Sequence, residues 1–291
     1  MPELIQLIVS GIATGAIYAL AALGFTLLWQ AAGVINFAQG EFVMLPAFAM
    51  LVLLGFGAPL WVAFLVTCVL AAGALGLAFK RVIVDPLLRY GVLPLVIASM
   101  GLSIGLKNTV KAGYSAGAFP FPGAFPDGQL AVAGVSVSYA DVGTLLLAGV
   151  IVAGLQAFLN RTVTGRAMQA VAQNTDAARV LGIDVRRMVF YTFVINAVLA
   201  VVAALLITPA YLAKFDMGDS IGEKAFFAAI VGGFNQTRGA LFGGVLIGVL
   251  ENLVGYYVSP AYKEGVALLL FLVVILFRPE GLLGKVEERK V

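Results

Sequence analysis

The chain has 291 residues, of which 62% are hydrophobic and 11% are charged, and its mean hydropathy is +1.04. Soluble domains carry about 25% charged residues, so this composition excludes a single water-soluble globule. The net charge of +3 is small and scattered, which gives no basis for nucleic-acid binding. With no His and one Cys, Cys68, the chain lacks the usual zinc-site patterns. From the high hydrophobic content and the low charged content, we predict a polytopic membrane protein.

Nine apolar segments follow one another, most of them close to the roughly 20 residues that cross a bilayer. They lie at 4–29, 42–56, 58–79, 91–110, 141–160, 188–212, 224–234, 239–257 and 264–277. The first has no Lys or Arg before it, so it is predicted to remain as a span rather than to be a cleaved signal peptide. Because 224–234 is short for a crossing, either it crosses as a broken helix, which we predict, or the C-terminal tail lies outside. The fold class is all-α, with about eight or nine transmembrane helices, broken or re-entrant segments and an inverted repeat.

The loops differ in positive charge, which orients membrane proteins. Lys and Arg are concentrated in loops 80–90 and 161–187 and in the tail 279–291, which we predict to be cytoplasmic. Loops 112–140 and 213–222 are poorer in these residues and are predicted to be external, so the N-terminus lies outside and the C-terminus inside. Within the first external loop, the alternating stretch QLAVAGVSVSY predicts a short hairpin.

A polar stretch, VINFAQGEF at 34–42, interrupts the first apolar region. It is predicted to be a break between two helices beside the translocation pathway, and its polar or flexible residues are Asn36, Gln39, Gly40 and Glu41. The stretch AIVGGFNQTRG at 229–239, with Gly232 and Gly233, occupies a comparable place in the second half and predicts a second break near the pathway or its cytoplasmic gate. The alternative is an interfacial turn in which Asn36 caps the next helix.

Patterns typical of enzymes and ion-coupled carriers are weak. GLSIG at 101–105 fits the Gly-x-Ser-x-Gly nucleophile pattern, but a chain without His leaves Ser103 only Lys107 as a base. There is no Gly-x-x-x-x-Gly-Lys-Ser/Thr loop for ATP. Glu41 and Glu251 are the candidates for an intramembrane ion relay. We predict no catalytic residue, no cofactor and no metal site.

The most informative loop is RTVTGRAMQAVAQNTDAARVLGIDVRRMVF at 161–190. Good helix formers, a cap at Asn174 or Thr175 and a stop at Gly182 predict two short helices broken near Asn174. The alternative is a solvated connector whose basic edge serves only to orient the protein. Asp176-Ala177-Ala178, followed by three residues and then Gly182, resembles the Glu-Ala-Ala-x-x-x-Gly pattern of ABC importer permeases, with Asp for Glu and without the later Ile-x-Leu-Pro.

A wider resemblance covers nearly the whole chain. The matching stretches are GIATGAIYALAALGFTLLWQAAGVINFAQGEF, GRAMQAVAQNTDAARVLGID, KAFFAAIVGGFNQTRGALFGGVLIGVLENL and LFRPEGLLG. Together they resemble the smaller of the two permease subunits of branched-chain amino-acid ABC importers, a bacterial inner-membrane family.

The resemblance implies one transmembrane permease domain over 1–291 that works with a second permease, two cytoplasmic ABC ATPases and an external substrate-binding protein. It implies a coupling segment that docks on an ATPase, with the residues Asn174, Asp176, Ala177, Ala178, Arg179 and Gly182. The implied cargo is a branched-chain or hydrophobic amino acid, while some relatives carry urea or short amides. An ion-coupled secondary transporter and a channel stay open as competing classes.

Overall fold

The apolar runs form helices in the computed structural model, which describes residues 2–132 and 135–284. The helices are α1 (Pro2–Ala32), α2 (Gln39–Gly55), α3 (Leu60–Ala71), α4 (Asp85–Leu88), α5 (Val92–Gly113), α6 (Tyr139–Arg161), α7 (Val163–Gln173), α8 (Thr175–Val180), α9 (Val185–Tyr211), α10 (Met217–Gly232), α11 (Thr237–Tyr257) and α12 (Lys263–Phe277). Each of the nine predicted segments contains a helix. In the described part of the chain, seven helical rods are long and apolar enough to span a bilayer, and the all-α polytopic fold is confirmed.

The predicted loop at 80–90 is wrong over most of its length. Helix α3 continues through π-helical turns at Ala72–Ala78 and Lys80–Val84 into α4, so Leu60–Leu88 is one rod. The Lys80 ammonium lies 2.8 Å from the Asp85 carboxylate, five residues later. This pairing compensates the lysine charge, so that the helix continues through a stretch that composition alone assigned to a loop.

Two ends of the bundle are distinguished by their loops. The hairpin end carries the antiparallel strands β1 (Gln129–Val132) and β2 (Val135–Ser138), which confirm the predicted hairpin, although its turn at 133–134 lies outside the described residues. The basic end carries residues 161–187. Helix α1 runs from the hairpin end to the basic end. It contacts β2 at the hairpin end, and Gln30 near its C-terminus lines a cavity with Met168 of α7 at the basic end. Residues 285–291 of the predicted tail also lie outside the described part.

Helix α11 runs antiparallel to α1 in close contact. The Tyr256 hydroxyl donates to the Glu3 carboxylate over 3.2 Å, and Gln30 Nε2 donates to the Asn235 carbonyl over 2.7 Å. Between these points the two backbones touch through glycines, since a Cβ added at Gly15 would lie 2.6 Å from the Cα of Val245. Small residues allow this approach where burial of apolar surface gives no help.

Two helices of the bundle are half-helices. The chain leaves α1 at Ala32, turns back through 33–38, and begins α2 with the Gln39 side chain beside Gly24, well inside the bundle. Helix α2 then returns to the hairpin end, where Phe48 packs on Tyr114. In the second half, α9 runs from the basic end to the hairpin end, and α10 starts after a five-residue turn and returns to the basic end. The pairs α1–α2 and α9–α10 thus run in opposite directions through the bundle, as the halves of an inverted repeat do.

The turn before α10 is tied to the long loop of the hairpin end. Phe119 and Ala213 exchange two backbone hydrogen bonds, from Phe119 N to Ala213 O over 3.0 Å and from Ala213 N to Phe119 O over 2.9 Å. Leu212, just before this bridge, has a φ of +62°, in the left-handed region that disfavours a leucine. The bridge and the strained leucine together define where α9 ends and α10 can start.

We expect Gly248→Leu to destabilise the protein by about 1–3 kcal/mol or more, because its side chain would collide with the α1 backbone at Gly11 and Gly15. The measurement is the temperature at which purified protein loses its monodisperse peak in size-exclusion chromatography. Gly101→Leu is the matched control, since an added Cβ at Gly101 meets nothing within 4 Å. Equal thermal stability of the two variants would contradict the packing argument.

Candidate functional site

The first turns of the half-helices α2 and α10 meet backbone to backbone. A Cβ added at Gly218 would lie 2.7 Å from the carbonyl carbon of Gly40, and one added at Gly222 would lie 3.0 Å from the Cα of Gly40. Real side chains do not fit at such separations, so glycine is needed on both sides. The N-termini of two helices, each carrying a partial positive charge, are therefore brought together inside the bundle.

A cavity of about 720 Å³ opens beside this contact, and we call it the groove. Helices α2, α5, α10 and α12 form its walls. Its charged lining residues are Glu41, Lys107, Asp219, Glu223 and Glu264. Its aromatic lining residues are Phe25, Phe37, Phe226 and Phe227. The groove thus combines carboxylates, an ammonium group, two helix N-termini and a phenyl surface within one space.

The charges of the groove are partly paired. Lys107 Nζ lies 2.7 Å from Asp219 Oδ2 and 3.1 Å from Asp219 Oδ1, which joins α5 to the first turn of α10. The Glu41 side chain lines the groove together with Ser103 and is 2% exposed. The lysine that could have served as a base for Ser103 of the GLSIG stretch is therefore paired with Asp219.

Phenylalanines close one side of the groove. The ring of Phe226 lies 5.6 Å from that of Phe25 and 5.5 Å from that of Phe37. It also lies 6.1 Å from Phe234, in the turn that follows α10 at the basic end. The carboxylates of the groove lie nearer the N-terminus of α10 and the phenyl rings nearer its C-terminus. The groove is therefore polar toward the hairpin end and apolar toward the basic end.

Two of the polar residues predicted near the pathway have structural partners instead of facing the groove. Gln39 and Asn196 form a reciprocal amide pair, with Gln39 Nε2 donating over 2.7 Å and Asn196 Nδ2 donating over 3.0 Å. Asn36 Oδ1 accepts from the Ala38 backbone N–H over 3.0 Å, inside the turn. Its side chain does not cap α2, whose N-cap residue Ala38 has no side-chain capping bond. Of the predicted break residues in 34–42, Gly40 and Glu41 line the groove.

The structure places Gly232 and Gly233 elsewhere, at the basic end. They end α10, and Gly233 has a φ of +113°. The chain near the C-terminus packs over them, with Leu282 N donating to Val231 O and Leu283 N donating to Gly232 O. The predicted stretch 229–239 thus contains the break between α10 and α11, while the turn at 212–216 precedes α10 as 33–38 precedes α2.

The loop at the basic end folds as predicted into two short helices, α7 and α8, broken at Asn174. The Asn174 side chain caps α8 by accepting from the N–H groups of Asp176 and Ala177. Helix α8 ends in a Schellman motif, with Gly182 N bonded to Arg179 O and a φ of +79° at the glycine. Local capping signals therefore define this element without help from the rest of the fold.

Residues 175–182 form a projecting segment that we call the knob. Ala178 is buried against the bundle, whereas Val180 is 88% exposed and Leu181 is 77% exposed. Asp176 and Arg179 form an exposed pair at 3.6 Å, which adds little stability in water. The knob therefore exposes two adjacent apolar side chains on an otherwise polar segment.

Sequence reasoning missed Asp219 and Glu223 as parts of a helix, because they fall outside the apolar segment 224–234, and it did not single out Lys224 at the first position of that segment. A signal was present, since the three charges lie within six positions directly before a strongly apolar run. Asn196 was also missed, although an amide inside the apolar run of α9 is a similar signal. In the described part of the chain, no group of three or more His, Cys, Asp or Glu side chains is arranged to hold a metal ion.

Comparison with known proteins is consistent along the whole chain. Residues 7–275 match the family model described as "Branched-chain amino acid transport system / permease component". The chain is 35% identical over 307 residues to the high-affinity branched-chain amino acid transport system permease protein BraD of Pseudomonas aeruginosa, covering 100% of both chains. It is 33% identical over 301 residues to the corresponding permease protein LivH of Escherichia coli, covering 99% of this chain and 97% of that one. No solved structure matches. The chain therefore belongs to the family of branched-chain amino acid transport system permease components.

Proposed function

We propose that this protein is the membrane-spanning permease subunit of an ABC importer that carries branched-chain or other hydrophobic amino acids across the bacterial inner membrane. The observation that carries the proposal is the groove between α2, α5, α10 and α12. A hydrophobic amino acid has an ammonium group, a carboxylate and an apolar side chain. The carboxylates of the groove complement the ammonium group. Lys107 and the two helix N-termini complement the carboxylate, and the phenyl rings complement the apolar side chain.

A second permease subunit completes the pathway in this proposal. Glu223 and Glu264 are exposed in the isolated chain, although both lie on helices of the transmembrane bundle. Charged side chains at that depth face a water-filled cavity or a protein partner rather than lipid. The neighbouring helices α5 and α12 expose large apolar residues such as Ile104 and Leu268, which also suits a protein contact. The partner permease therefore covers the open side of the groove.

The knob is the docking site for a cytoplasmic ATPase in this proposal. It lies at the basic end, which the distribution of Lys and Arg assigns to the cytoplasm, with the N-terminus of the chain outside and residue 284 inside. Val180 and Leu181 supply an apolar anchor of the kind that dominates binding at protein interfaces. ATP is hydrolysed by the partner subunits, and the external substrate-binding protein delivers cargo at the hairpin end.

The proposal is tested by uptake into proteoliposomes that contain this subunit with its second permease and two ATPases, with the binding protein added outside. We expect uptake of leucine, isoleucine or valine that requires enclosed ATP at the ATPase face and stops when the ATPase is inactivated. The control complex lacks only this subunit. Uptake by this chain alone, driven by an ion gradient, would contradict the proposal. Transport of urea but of no hydrophobic amino acid would contradict the proposed cargo.

A further inference from the structure

A cluster of buried polar side chains lies apart from the groove, and we call it the polar node. Lys224 Nζ lies 3.0 Å from Glu251 Oε1, and the Tyr18 hydroxyl donates to Glu251 Oε2 over 2.9 Å. The hydroxyls of Tyr18 and Tyr211 are 3.0 Å apart. Lys224 is 5% exposed and Glu251 is 2% exposed. The node joins one side chain from each of α1, α9, α10 and α11.

Stability alone does not account for this ion pair. Burying two charges costs more than a well-packed apolar pair of similar volume, so a buried salt bridge is weak evidence of stabilisation. Ionisable residues inside membrane proteins are mostly tied to function. The node lines neither the groove nor the knob, and the transport reaction proposed above uses none of its side chains directly.

The node holds the half-helix α10 on the side facing away from the groove. Asp219, Glu223 and Phe226 recur at spacings of three or four residues and line the groove. Lys224 is one residue after Glu223 and therefore points about 100° around the helix, toward α1 and α11. A rotation of α10 that broke the pair with Glu251 would also turn the groove-lining face.

The rest of that buried face would permit such a rotation. Ala225, Ala228 and Ala229 are fully buried and present a smooth surface, and α11 meets it with Gly243 beside the Ala228 carbonyl. Apolar packing of small residues has no preferred direction, whereas Lys224 Nζ lies 3.0 Å from Glu251 Oε1 and donates to the Tyr18 hydroxyl over 3.4 Å, so a rotation of α10 would separate opposite charges in a buried site. On this side of α10, Lys224 makes the charged side-chain contact among the described residues, while Val231 and Gly232 accept backbone hydrogen bonds from Leu282 and Leu283 at the end of the helix.

We propose that Lys224 and Glu251 are positioning residues that fix the rotation of α10 and so aim Asp219 and Glu223 into the groove. The transport consequence rests on the proposed function, because it takes the groove to be the cargo pathway. The orientation of α10 does not depend on that function and can be measured separately. Tyr18 supports the pair by bonding Glu251, and Tyr211 links it to the end of α9, directly before the strained Leu212.

The first test measures orientation in the assembled complex. In a Cys68→Ser background, Glu223→Cys is labelled with a small water-soluble thiol reagent, with and without the apolar pair Lys224→Met/Glu251→Leu. The double substitution removes both charges, so no unpaired charge is left to unfold the chain. We expect the labelling rate at position 223 to change by about tenfold, because rotation of α10 would change how far this position is buried. The control is Glu264→Cys on α12, which keeps its labelling rate in the same background. Unchanged labelling at position 223 would overturn the proposal.

The second test measures transport with Glu223 intact. We expect Lys224→Met/Glu251→Leu to raise the KM for leucine by about tenfold, the equivalent of one lost charge-assisted hydrogen bond. The swapped pair Lys224→Glu/Glu251→Lys restores both the KM and the labelling rate. A normal KM in the apolar pair, or a swap that restores neither quantity, would overturn the positioning role. If the wild-type complex carries no hydrophobic amino acid, the proposed function fails, whereas the labelling result still decides the role of the node.

Discussion

Gly218→Val is expected to lower ATP-driven uptake by about a hundredfold, because the variant forces apart the half-helices that form the groove. An added Cβ at Gly218 would lie 2.7 Å from the carbonyl carbon of Gly40 and 3.0 Å from the nitrogen of Glu41. These are backbone atoms, so no side-chain rotation relieves the overlap. The valine therefore moves the first turn of α2 or α10, together with the carboxylates that follow each glycine. Leucine uptake by the reconstituted complex is the measurement.

Gly105→Val is the matched control, because Gly105 is a helical glycine of the groove-flanking α5 whose added Cβ would meet nothing within 4 Å. We expect it to retain wild-type uptake. Co-purification with the partner subunits is measured for both variants, so that lost uptake is not confused with lost assembly. Wild-type uptake by Gly218→Val would show that the contact between the half-helices does not matter for transport.

Val180→Asp/Leu181→Asp is expected to weaken binding of the ATPase by at least about 30-fold, since a buried interface anchor commonly contributes about 2 kcal/mol or more. Both side chains are exposed in the isolated chain, at 88% and 77%, so the substitutions do not disturb its own core. The new carboxylates would have to be desolvated at the interface without a partner. Binding is measured by titrating purified ATPase onto the solubilised permease pair.

The control for the knob variant is Val258→Asp, which places a carboxylate at a residue 66% exposed next to the end of α11, at the hairpin end. We expect this variant to bind the ATPase normally, because it lies at the opposite end of the bundle. If the knob variant bound as tightly as the control, the ATPase would have to dock on another surface of the basic end, and the assignment of residues 175–182 would be wrong.

Features defined by neighbouring residues could be predicted from the sequence. The apolar runs predicted the membrane-spanning helices, because their lengths as helices match the thickness of the hydrocarbon core of a bilayer. The break at Asn174 and the stop at Gly182 follow from capping, which involves atoms within four residues of one another. The continuation of a helix through Lys80 could not be predicted from charge counting, because it depends on pairing with Asp85 inside the same helix.

The groove and the polar node depend on contacts between distant parts of the chain. Gly40 meets Gly218, and Lys224 meets Glu251, through the packing of four or more helices. One sequence shows that each residue is unusual in its surroundings but does not show which of them meet. The break predicted at 229–239 does separate α10 from α11, but its position at the basic end, away from the Gly40–Gly218 contact, also depends on such packing.

The bridge between Phe119 and Ala213 constrains the length of the loop at the hairpin end more than its composition. Both of its hydrogen bonds join backbone atoms, so they tolerate a change of either side chain to any residue that keeps its N–H group. Proline at either position would remove a donor. An insertion or deletion between Tyr114 and Phe119 would shift the register and pull on the turn from which α10 starts. Under the proposed function, a binding protein that moves this loop would act on the groove through main-chain connections, whatever side chains the loop carries.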